Sequence, residues 1–308
     1  MLSKNKAVIR VVIKAIKHAI KKKNTTFDAE ALSSLRAITI TDPYFKVDYR
    51  HYRQYEFRLR WMSDFTHPCY LQMLTLPMQL ELLTDERCPF NPVGLVHIHN
   101  SIVQTPDFEL GQPFELSVRF GEVYAHPRGI AVDVVVKGEQ ESKCVYQATS
   151  TYLSRSFHDT DNKLKQASHL PYLRPSPSLV RRDLRPLKFK GSDGRRYAEL
   201  SGDYNPIHLA SVFAKMFGFK QAIIHGMYSL AMVLSVEEEA LNFKDSDLPL
   251  EIDCDFMKPI YLPSTTQIVT GCINVDRFMS LHDANKRDIV HLLVRYARGE
   301  ATRLHRRF

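Results

Sequence analysis

Two residues with acid–base side chains, Asp203 and His208, lie five positions apart at a predicted loop-to-helix junction. Ser201-Gly202-Asp203 has the composition of a turn, and Asn205 before Pro206 favours an extended backbone that leads into a helix. This spacing can bring a carboxylate and an imidazole to one water molecule, as general acid–base catalysis requires. Two alternatives stay open: a capping role for Asp203 on the helix that begins at Pro206, and a surface position for His208.

The start of an apolar segment further along the chain supplies a second chemical feature. His225-Gly226-Met227-Tyr228 leads into a predicted helix, Met227–Leu241. A glycine there lets a ligand approach the backbone, and the unpaired N–H groups at a helix N-terminus stabilise a developing negative oxygen. Together with an acid–base pair, such a donor is suited to proton transfer next to a carbonyl group. His225, Met227 and Tyr228 are therefore candidate substrate contacts.

The elements around these residues occur twice. His67-Pro68-Cys69-Tyr70 lies 158 positions before His225-Gly226-Met227-Tyr228, and each segment opens a helix that an alternating strand follows. The first helix is predicted at about Tyr70–Leu83; strands of the second half are predicted at Leu250–Phe256 and at about 265–274 and 288–296. The repeat predicts an α+β fold of two equivalent units, each a long helix wrapped by an antiparallel sheet.

The pattern divides the chain into four segments. Its length of 308 residues predicts about two domains. The predicted boundaries are a basic amphipathic helix at 1–25, an N-terminal repeat at 26–156, a linker containing Pro and Ser at 157–185 and a C-terminal repeat at 186–308. Within the last segment, a short helix is predicted at about 207–216.

The positive charge of the chain is concentrated at its N-terminus. Residues 1–25 contain eight Lys and Arg and no acidic residue, which equals the formal net charge of +8 of the whole chain. The remainder therefore sums to zero, and its aromatic residues are not interleaved with basic ones, so nucleic-acid binding is not expected. The N-terminal helix is expected either to make peripheral contact with an anionic membrane or to pack its Ile and Val side chains on the protein or on a second copy in a homodimer.

Cysteine use and hydropathy predict the compartment. The five cysteines are an odd number without a C-x-x-C pair, which is typical of a reducing, cytoplasmic location. The N-terminal segment lacks the uncharged core of a signal peptide, and no stretch approaches 18 apolar residues. His97 and His99 are predicted to be polar residues on one face of a half-exposed strand, and no metal site is expected.

At this point the motifs resemble a known family. The run Tyr197–His208 is similar to the signature of the MaoC-like dehydratases, also called the hydratase 2 family, in which an aromatic residue precedes S-G-D-x-N-P-[LIV]-H. Three further stretches match that family in the same order: Phe213–Phe219, Ile224–Met227 and Phe256–Pro263. The lead-in Arg195-Arg196-Tyr197-Ala198 is similar to that of double-domain members from mycobacteria.

The resemblance implies a double hot-dog fold and a reaction. The reaction is (R)-specific hydration of trans-2-enoyl thioesters, or dehydration of (3R)-hydroxyacyl thioesters, carried on coenzyme A or acyl carrier protein in fatty-acid metabolism. It requires no metal and no redox cofactor. An alternative from another class is a non-catalytic hot-dog module or scaffold that binds acyl-CoA.

The resemblance also assigns roles to residues. Asp203 and His208 would hold the catalytic water, and the backbone N–H of Gly226 would bind the thioester oxygen. Ser201, Gly202 and Asn205 would shape the loop. Arg195 and Arg196 are candidates to meet the phosphates of coenzyme A, with solvated charges as the alternative.

The N-terminal half departs from this pattern. The stretch before His67 lacks the S-G-D-x-N-P-x-H motif, and Pro68 replaces the glycine at the helix start, which removes the N–H that an oxyanion hole needs. One active site per chain is therefore expected, with the N-terminal repeat completing the fold and supplying walls for the acyl tail.

Overall fold

The structure is a computed structural model, and it describes residues 34–155, 164–166, 180–244, 248–273 and 276–299. The predicted helix at 1–25 and most of the predicted linker lie outside these ranges. No helix in the described ranges is long and apolar enough to cross a membrane.

The N-terminal half has the predicted helical segment followed by strands, with one strand and one helix before it. Its elements are β1 (Thr39–Phe45), α1 (Tyr49–Leu59), α2 (Cys69–Leu74), α3 (Leu76–Leu83), β2 (Leu95–Gln104), β3 (Phe114–His126), β4 (Gly129–Gln140) and β5 (Lys143–Ser154). The single helix predicted at Tyr70–Leu83 is wrong in one respect, since it is interrupted at Thr75. Pro77 lies in the first turn of α3 and has no N–H to continue the hydrogen bonding of α2.

The C-terminal half repeats that order. Its elements are β7 (Val180–Phe189), α4 (Asp193–Ser201), α5 (Pro206–Leu209), α6 (Ser211–Met216), α7 (Gly226–Leu241), β8 (Leu250–Phe256), β9 (Ser264–Ile273), β10 (Asp276–Asp283) and β11 (Val290–Arg298). Before it, the two-residue strand β6 (Lys165–Gln166) lies in the predicted linker and pairs parallel with β3 of the first half. Strand β8 has the predicted bounds, and α7 begins one residue before the predicted helix.

Three details of this half differ from the prediction. Strand β7 begins at Val180, inside the predicted linker 157–185, because its residues pair with β9 despite Pro186. The short helix predicted at 207–216 is divided into α5 and α6 by Ala210, whose backbone is extended. Strand β10 was not predicted, because its charged and polar residues obscure the alternation of apolar and polar side chains that is typical of a strand. In the structure it pairs with β9 on one side and β11 on the other.

The described strands join in one sheet that shows the internal symmetry directly. The order is β1-β3-β4-β5-β2 in the first half and, continuing across the same sheet, β8-β11-β10-β9-β7 in the second. Each half has the same sequence of neighbours, and β2 pairs antiparallel with β8 from His99 opposite Asp255 to Gln104 opposite Leu250. The prediction of an α+β, double hot-dog fold is confirmed.

Helix α7 is the wrapped helix of the C-terminal repeat. Leu230, Ala231, Val233 and Leu234 are fully buried. Burial on nearly all sides explains why this helix is apolar around most of its circumference rather than along one stripe. Its N-terminus is thereby held at a fixed place beside the loop that carries Asp203.

A bulge in β2 changes the prediction for the two histidines of that strand. His97 pairs with Tyr152, whereas His99 pairs with Thr151, so Ile98 is the extra residue. Because neighbouring residues on β5 point to opposite faces, His97 and His99 do so as well. The prediction that both lie on one face of a half-exposed strand is wrong: His99 is buried, and its Nδ1 is 2.8 Å from Oδ1 of Asp255.

Candidate active site

The loop that carries Asp203 is built by local hydrogen bonds. Helix α4 ends at Ser201, and Gly202 adopts a left-handed conformation (φ 76°) that turns the chain out of the helix. The Ser201 hydroxyl donates to the Tyr197 carbonyl over 2.7 Å and accepts the N–H of Asp203 over 3.1 Å. The side chain of Asp203 in turn accepts the N–H of Asn205 over 3.1 Å.

Asn205 caps α5, so the alternative in which Asp203 caps that helix is wrong. The Asn205 side chain accepts the N–H of Ile207, and Pro206 occupies the first helical position. Asp203 instead has one oxygen on the loop backbone, and its side chain is about one third exposed. Its carboxylate therefore remains accessible from the site.

His208 is buried, which excludes the alternative of a surface histidine. Its Nδ1 lies 2.9 Å from the carbonyl oxygen of Ile223, which can only accept, so Nδ1 carries the proton and Nε2 presents a lone pair. Burial lowers the pKa of His208, while the charge of Asp203 acts in the opposite direction. A neutral imidazole with a free Nε2 is a base at neutral pH.

Close packing fixes the backbone of His208. A Cβ atom on Gly194 of α4 would lie 2.1 Å from the main-chain oxygen of His208, so only glycine fits at this crossing. Arg195, the next residue, is exposed and donates to the carbonyl of Leu209 over 3.0 Å. Helix α4 thus holds α5 from outside the site.

His225 brings a third titratable side chain to the pair. It is 2% exposed, and its ring stacks on that of His208 with 3.8 Å between centroids. Its Nε2 is 3.0 Å from the main-chain oxygen of Asp203 and 3.8 Å from Oδ2. Burial lowers the pKa of His225 to about 3, so this ring is neutral.

These three side chains also satisfy the distance requirement of a metal site. The ligand atoms of Asp203, His208 and His225 lie within 4.8 Å of one another. However, one nitrogen of each histidine already faces a carbonyl oxygen, so only Nδ1 of His225 and Nε2 of His208 remain as ligands. An acid–base pair needs only the Asp203 carboxylate and Nε2 of His208, and it requires no ion.

Gly226 begins α7 directly after His225. As the first residue of a helix, it has an N–H without an acceptor inside that helix. A Cβ atom at this position would lie 2.8 Å from Cε1 of Phe256, so the aromatic ring occupies the space of a side chain. Glycine lets the backbone lie against the ring, and the N–H of Gly226 points outwards from the N-terminus of α7.

The remaining predicted substrate contacts are not all at this site. Tyr228 is buried against Tyr197 and Phe189, with centroids 4.9 and 6.2 Å away, so it belongs to the core. Met227 is half-buried at the helix start. Arg196 is exposed and lines a surface cleft with α1, away from Asp203 and His208.

Sequence reasoning did not predict that His97 and Tyr152 of the N-terminal repeat lie near the candidate site. His97 packs against Phe256 and Tyr152, with ring centroids 4.7 and 4.8 Å away. Burial lowers the pKa of His97 to about 3, and the charge of Asp203 acts against this shift, which places His97 within electrostatic reach of the carboxylate. The one sequence signal was the internal repeat, in which β2 and the strand that carries Phe256 occupy equivalent positions.

The C-terminal half matches a known domain. The sequence model described as "MaoC like domain" matches residues 178–291. These residues are therefore similar to a MaoC-like domain. The match includes Asp203, His208, His225 and Gly226, and it leaves the N-terminal repeat outside.

Curated relatives extend the MaoC-like match. The 3-hydroxyacyl-thioester dehydratase X of Mycobacterium tuberculosis is 31% identical over 192 residues, which is 62% of this chain and 65% of that protein. The peroxisomal multifunctional enzyme type 2 of Mus musculus is 36% identical over 110 residues, or 35% of this chain and 14% of that protein. The chain thus aligns with just under two thirds of the first relative and with a small part of the second.

Solved structures of MaoC-like proteins match both halves. The crystal structure of HtdX of Mycobacterium tuberculosis superposes with a TM-score of 0.69 at 25% identity, and covers 84% of this chain and 99% of that one. The MaoC-like dehydratase of Phytophthora capsici has a TM-score of 0.71 at 17% identity, with 90% and 100% covered. The second similarity shows the fold alone.

The N-terminal counterpart of the MaoC-like site is filled by aromatic rings. His67, which occupies the position of His225 in the repeat, is fully buried against Trp61 and Tyr55, with centroids 4.4 and 5.3 Å away. Its Nδ1 accepts the N–H of Cys69, and Pro68 precedes the first helical residue. The backbone of Pro68 has no N–H to donate.

Proposed function

We propose that this chain is a hydro-lyase that adds water to trans-2-enoyl thioesters, forms (3R)-hydroxyacyl thioesters and catalyses the reverse dehydration in fatty-acid metabolism. The observation that carries the proposal is the pairing of Asp203 with a neutral His208 whose Nε2 is left as an acceptor, next to the first turn of α7. The name of the mycobacterial relative, a 3-hydroxyacyl-thioester dehydratase, supports the reaction class.

In the proposed reaction, Asp203 and His208 hold one water molecule. Nε2 of His208 takes a proton as the water oxygen bonds to C3, and the electron pair of the C2–C3 π bond moves towards the thioester oxygen. The negative charge of Asp203 stabilises the imidazolium that forms. The pair then returns one proton to C2, so the reaction consumes one water and leaves both side chains as they began.

The backbone N–H of Gly226 is the proposed donor to the thioester oxygen. That oxygen gains negative charge in the enolate-like state, and a fixed donor lowers the energy of this state more than that of the substrate. Ser201, Gly202 and Asn205 hold the Asp203 loop through the hydrogen bonds described above. No electron leaves the substrate, so the mechanism requires no redox cofactor.

The carrier and the cellular setting are also proposals. Coenzyme A and acyl carrier protein both present the thioester that this mechanism needs. Arg195 and Arg196 are exposed, which leaves both guanidinium groups available as candidate contacts for the carrier. The five cysteines, all within the described ranges, form no disulfide with one another, which supports a reducing, cytoplasmic location. Packing of residues 1–25 on the protein or on a second copy in a homodimer is a further proposal, with peripheral membrane contact as its alternative.

The test follows loss of enoyl absorbance with crotonyl-CoA and longer trans-2-enoyl-CoA substrates. Asp203→Asn and His208→Gln are each expected to lower kcat by about 10²-fold or more, the contribution of an acid–base group. The matched controls are Asp288→Asn in the β10–β11 turn and His282→Gln at the end of β10, and both are expected to retain the wild-type rate. An unchanged rate in Asp203→Asn contradicts the proposal.

Two further results separate the parts of the proposal. Chiral analysis of the hydration product tests the (3R) assignment, which a (3S) product contradicts. A wild-type protein without activity at any chain length, yet with saturable acyl-CoA binding, would instead establish the non-catalytic module.

A further inference from the structure

His225 touches every part of the candidate site. Its ring lies between those of Tyr197 and His208, its Nε2 faces the main-chain oxygen of Asp203, and its own carbonyl carbon is bonded to the nitrogen of Gly226. It is 2% exposed, so water does not separate these groups. We propose that His225 is a positioning residue for the proposed hydration, which holds the Asp203 loop through Nε2 and the His208 ring through stacking.

The hydrogen bond to Asp203 defines the protonation of the ring. A carbonyl oxygen only accepts, so Nε2 of His225 donates over 3.0 Å and carries the single proton of the neutral ring. Nδ1 is then a lone pair, and it has no hydrogen-bond partner among the described residues. If His225 gave its single proton to Asp203, the ring would become negatively charged. This fits a positioning role for His225 rather than a share in proton transfer.

The stacking contact acts on His208. The two rings are inclined by 29°, and Tyr197 packs edge-on against the far side of His225 with 4.9 Å between centroids. This stack covers one face of His208 and keeps water from it. Since burial is the main cause that lowers the pKa of His208, removal of the ring of His225 raises that pKa towards the ordinary histidine value.

The other charged or titratable groups around His208 come from one loop, one helix and two strands. Asp203, on the loop before α5, favours its protonated form. On α4, Arg195 reaches only the Leu209 carbonyl, and across the site His97 on β2 and Tyr152 on β5 interact electrostatically with Asp203. A substitution of His225 leaves these groups in place, so a change in the titration of His208 reports the loss of the stack.

Two variants divide the roles of His225. His225→Gln keeps a donor that can reach the Asp203 carbonyl but removes the ring, so the acid limb of the kcat profile is expected to move to higher pH while kcat on the plateau changes less than about threefold. His225→Phe keeps the ring but removes the donor, so kcat is expected to fall about 3- to 10-fold, the effect of one hydrogen bond, with the acid limb unmoved. KM is expected to stay constant in both, because His225 does not bind substrate in this role.

A measurement without substrate separates this inference from the proposed function, on which it rests. Histidine ring nitrogens are followed by NMR in the ¹⁵N-labelled chain, and the His208 signals are identified by their loss in His208→Gln. Wild type and His225→Phe are expected to show the Nδ1–H tautomer of His208 with a pKa below 6.5, whereas His225→Gln shows a higher one. Thermal unfolding confirms that each variant is folded.

The outcomes are distinct. Identical His208 titrations in wild type and a folded His225→Gln overturn the stacking role, and a wild-type kcat in His225→Phe overturns the hydrogen-bond role. If His225→Gln does not fold, the unmoved titration and lowered kcat of His225→Phe remain as the test. Expected NMR shifts in a chain that hydrates no enoyl thioester would refute the proposed function alone.

Discussion

Replacement of Gly226 by alanine tests the oxyanion donor with a single methyl group. The new Cβ would lie 2.8 Å from Cε1 and 3.0 Å from Cδ1 of Phe256. Ordinary contact begins at 3.4 Å, so the ring or the start of α7 must move by about 0.6 Å. His97 packs against the same ring, which limits how far it can retreat.

The expected loss of rate follows from this displacement. An oxyanion donor acts over about 2.7–3.1 Å, and loss of one lowers kcat by about 10²–10³-fold. We therefore expect Gly226→Ala to lower kcat about 10²-fold in the crotonyl-CoA assay. In a helix, alanine is more favourable than glycine by about 1 kcal/mol. A fall in the free energy of unfolding would therefore come from the clash with Phe256, since overpacking of this kind costs about 1–3 kcal/mol.

The double variant Gly226→Ala/Phe256→Leu is the matched test of cause. Leucine removes the ring atoms nearest to the new Cβ, so the double variant is expected to recover stability and part of kcat relative to Gly226→Ala, with Phe256→Leu alone as the reference. Wild-type kcat in Gly226→Ala would refute a role for this backbone. A double variant no better than Gly226→Ala would refute the clash as the cause.

Further measurements address the rest of the site. The acid limb of kcat/KM is expected below pH 6.5, because burial lowers the pKa of His208 and activity is lost only as pH falls through that pKa; a limb above 6.5 contradicts this. Gly194→Ala places a Cβ 2.1 Å from the main-chain oxygen of His208. It is expected to lower the melting temperature and to lower kcat by about tenfold or more. A wild-type melting curve would refute the close contact between α4 and α5. Dialysis against EDTA is expected to leave the rate unchanged, whereas a loss reversed by a divalent ion would indicate a metal at Asp203, His208 and His225. Deletion of residues 1–24 is expected to leave sedimentation with anionic liposomes unchanged, because the apolar stripe of that segment lacks Trp, Phe and Leu; sedimentation lost on deletion would establish membrane contact.

The approach of Asp203 to His208 could be predicted because its geometry is local. Turn residues, a proline and five positions of chain determine where Asp203 and His208 meet. The roles of their neighbours were harder to predict, since Asn205 and Asp203 are both good capping residues and only the folded loop shows that Asn205 caps α5.

Long-range contacts account for what sequence reasoning missed. The bulge at Ile98 depends on pairing with β5 and cannot be read from the alternation of β2. The stack of His225 on His208 joins residues from different elements, and neither sequence neighbourhood contains a sign of it. By contrast, the break between α2 and α3 had a local sign in Pro77, which the apolar pattern of the segment outweighed.

The pairing of β2 with β8 has a consequence for attempts to divide the chain. An isolated C-terminal half would contain the Asp203 loop, yet its strand β8 would become an open edge with unpaired backbone groups, a template for self-association. It would also lose His97, the partner that packs behind Phe256. Two such halves could close the edge by pairing β8 with β8, as a homodimer of single repeats would. The N-terminal repeat can therefore be regarded as a covalently attached partner that covers the β8 edge, while aromatic side chains fill its own position equivalent to the candidate site.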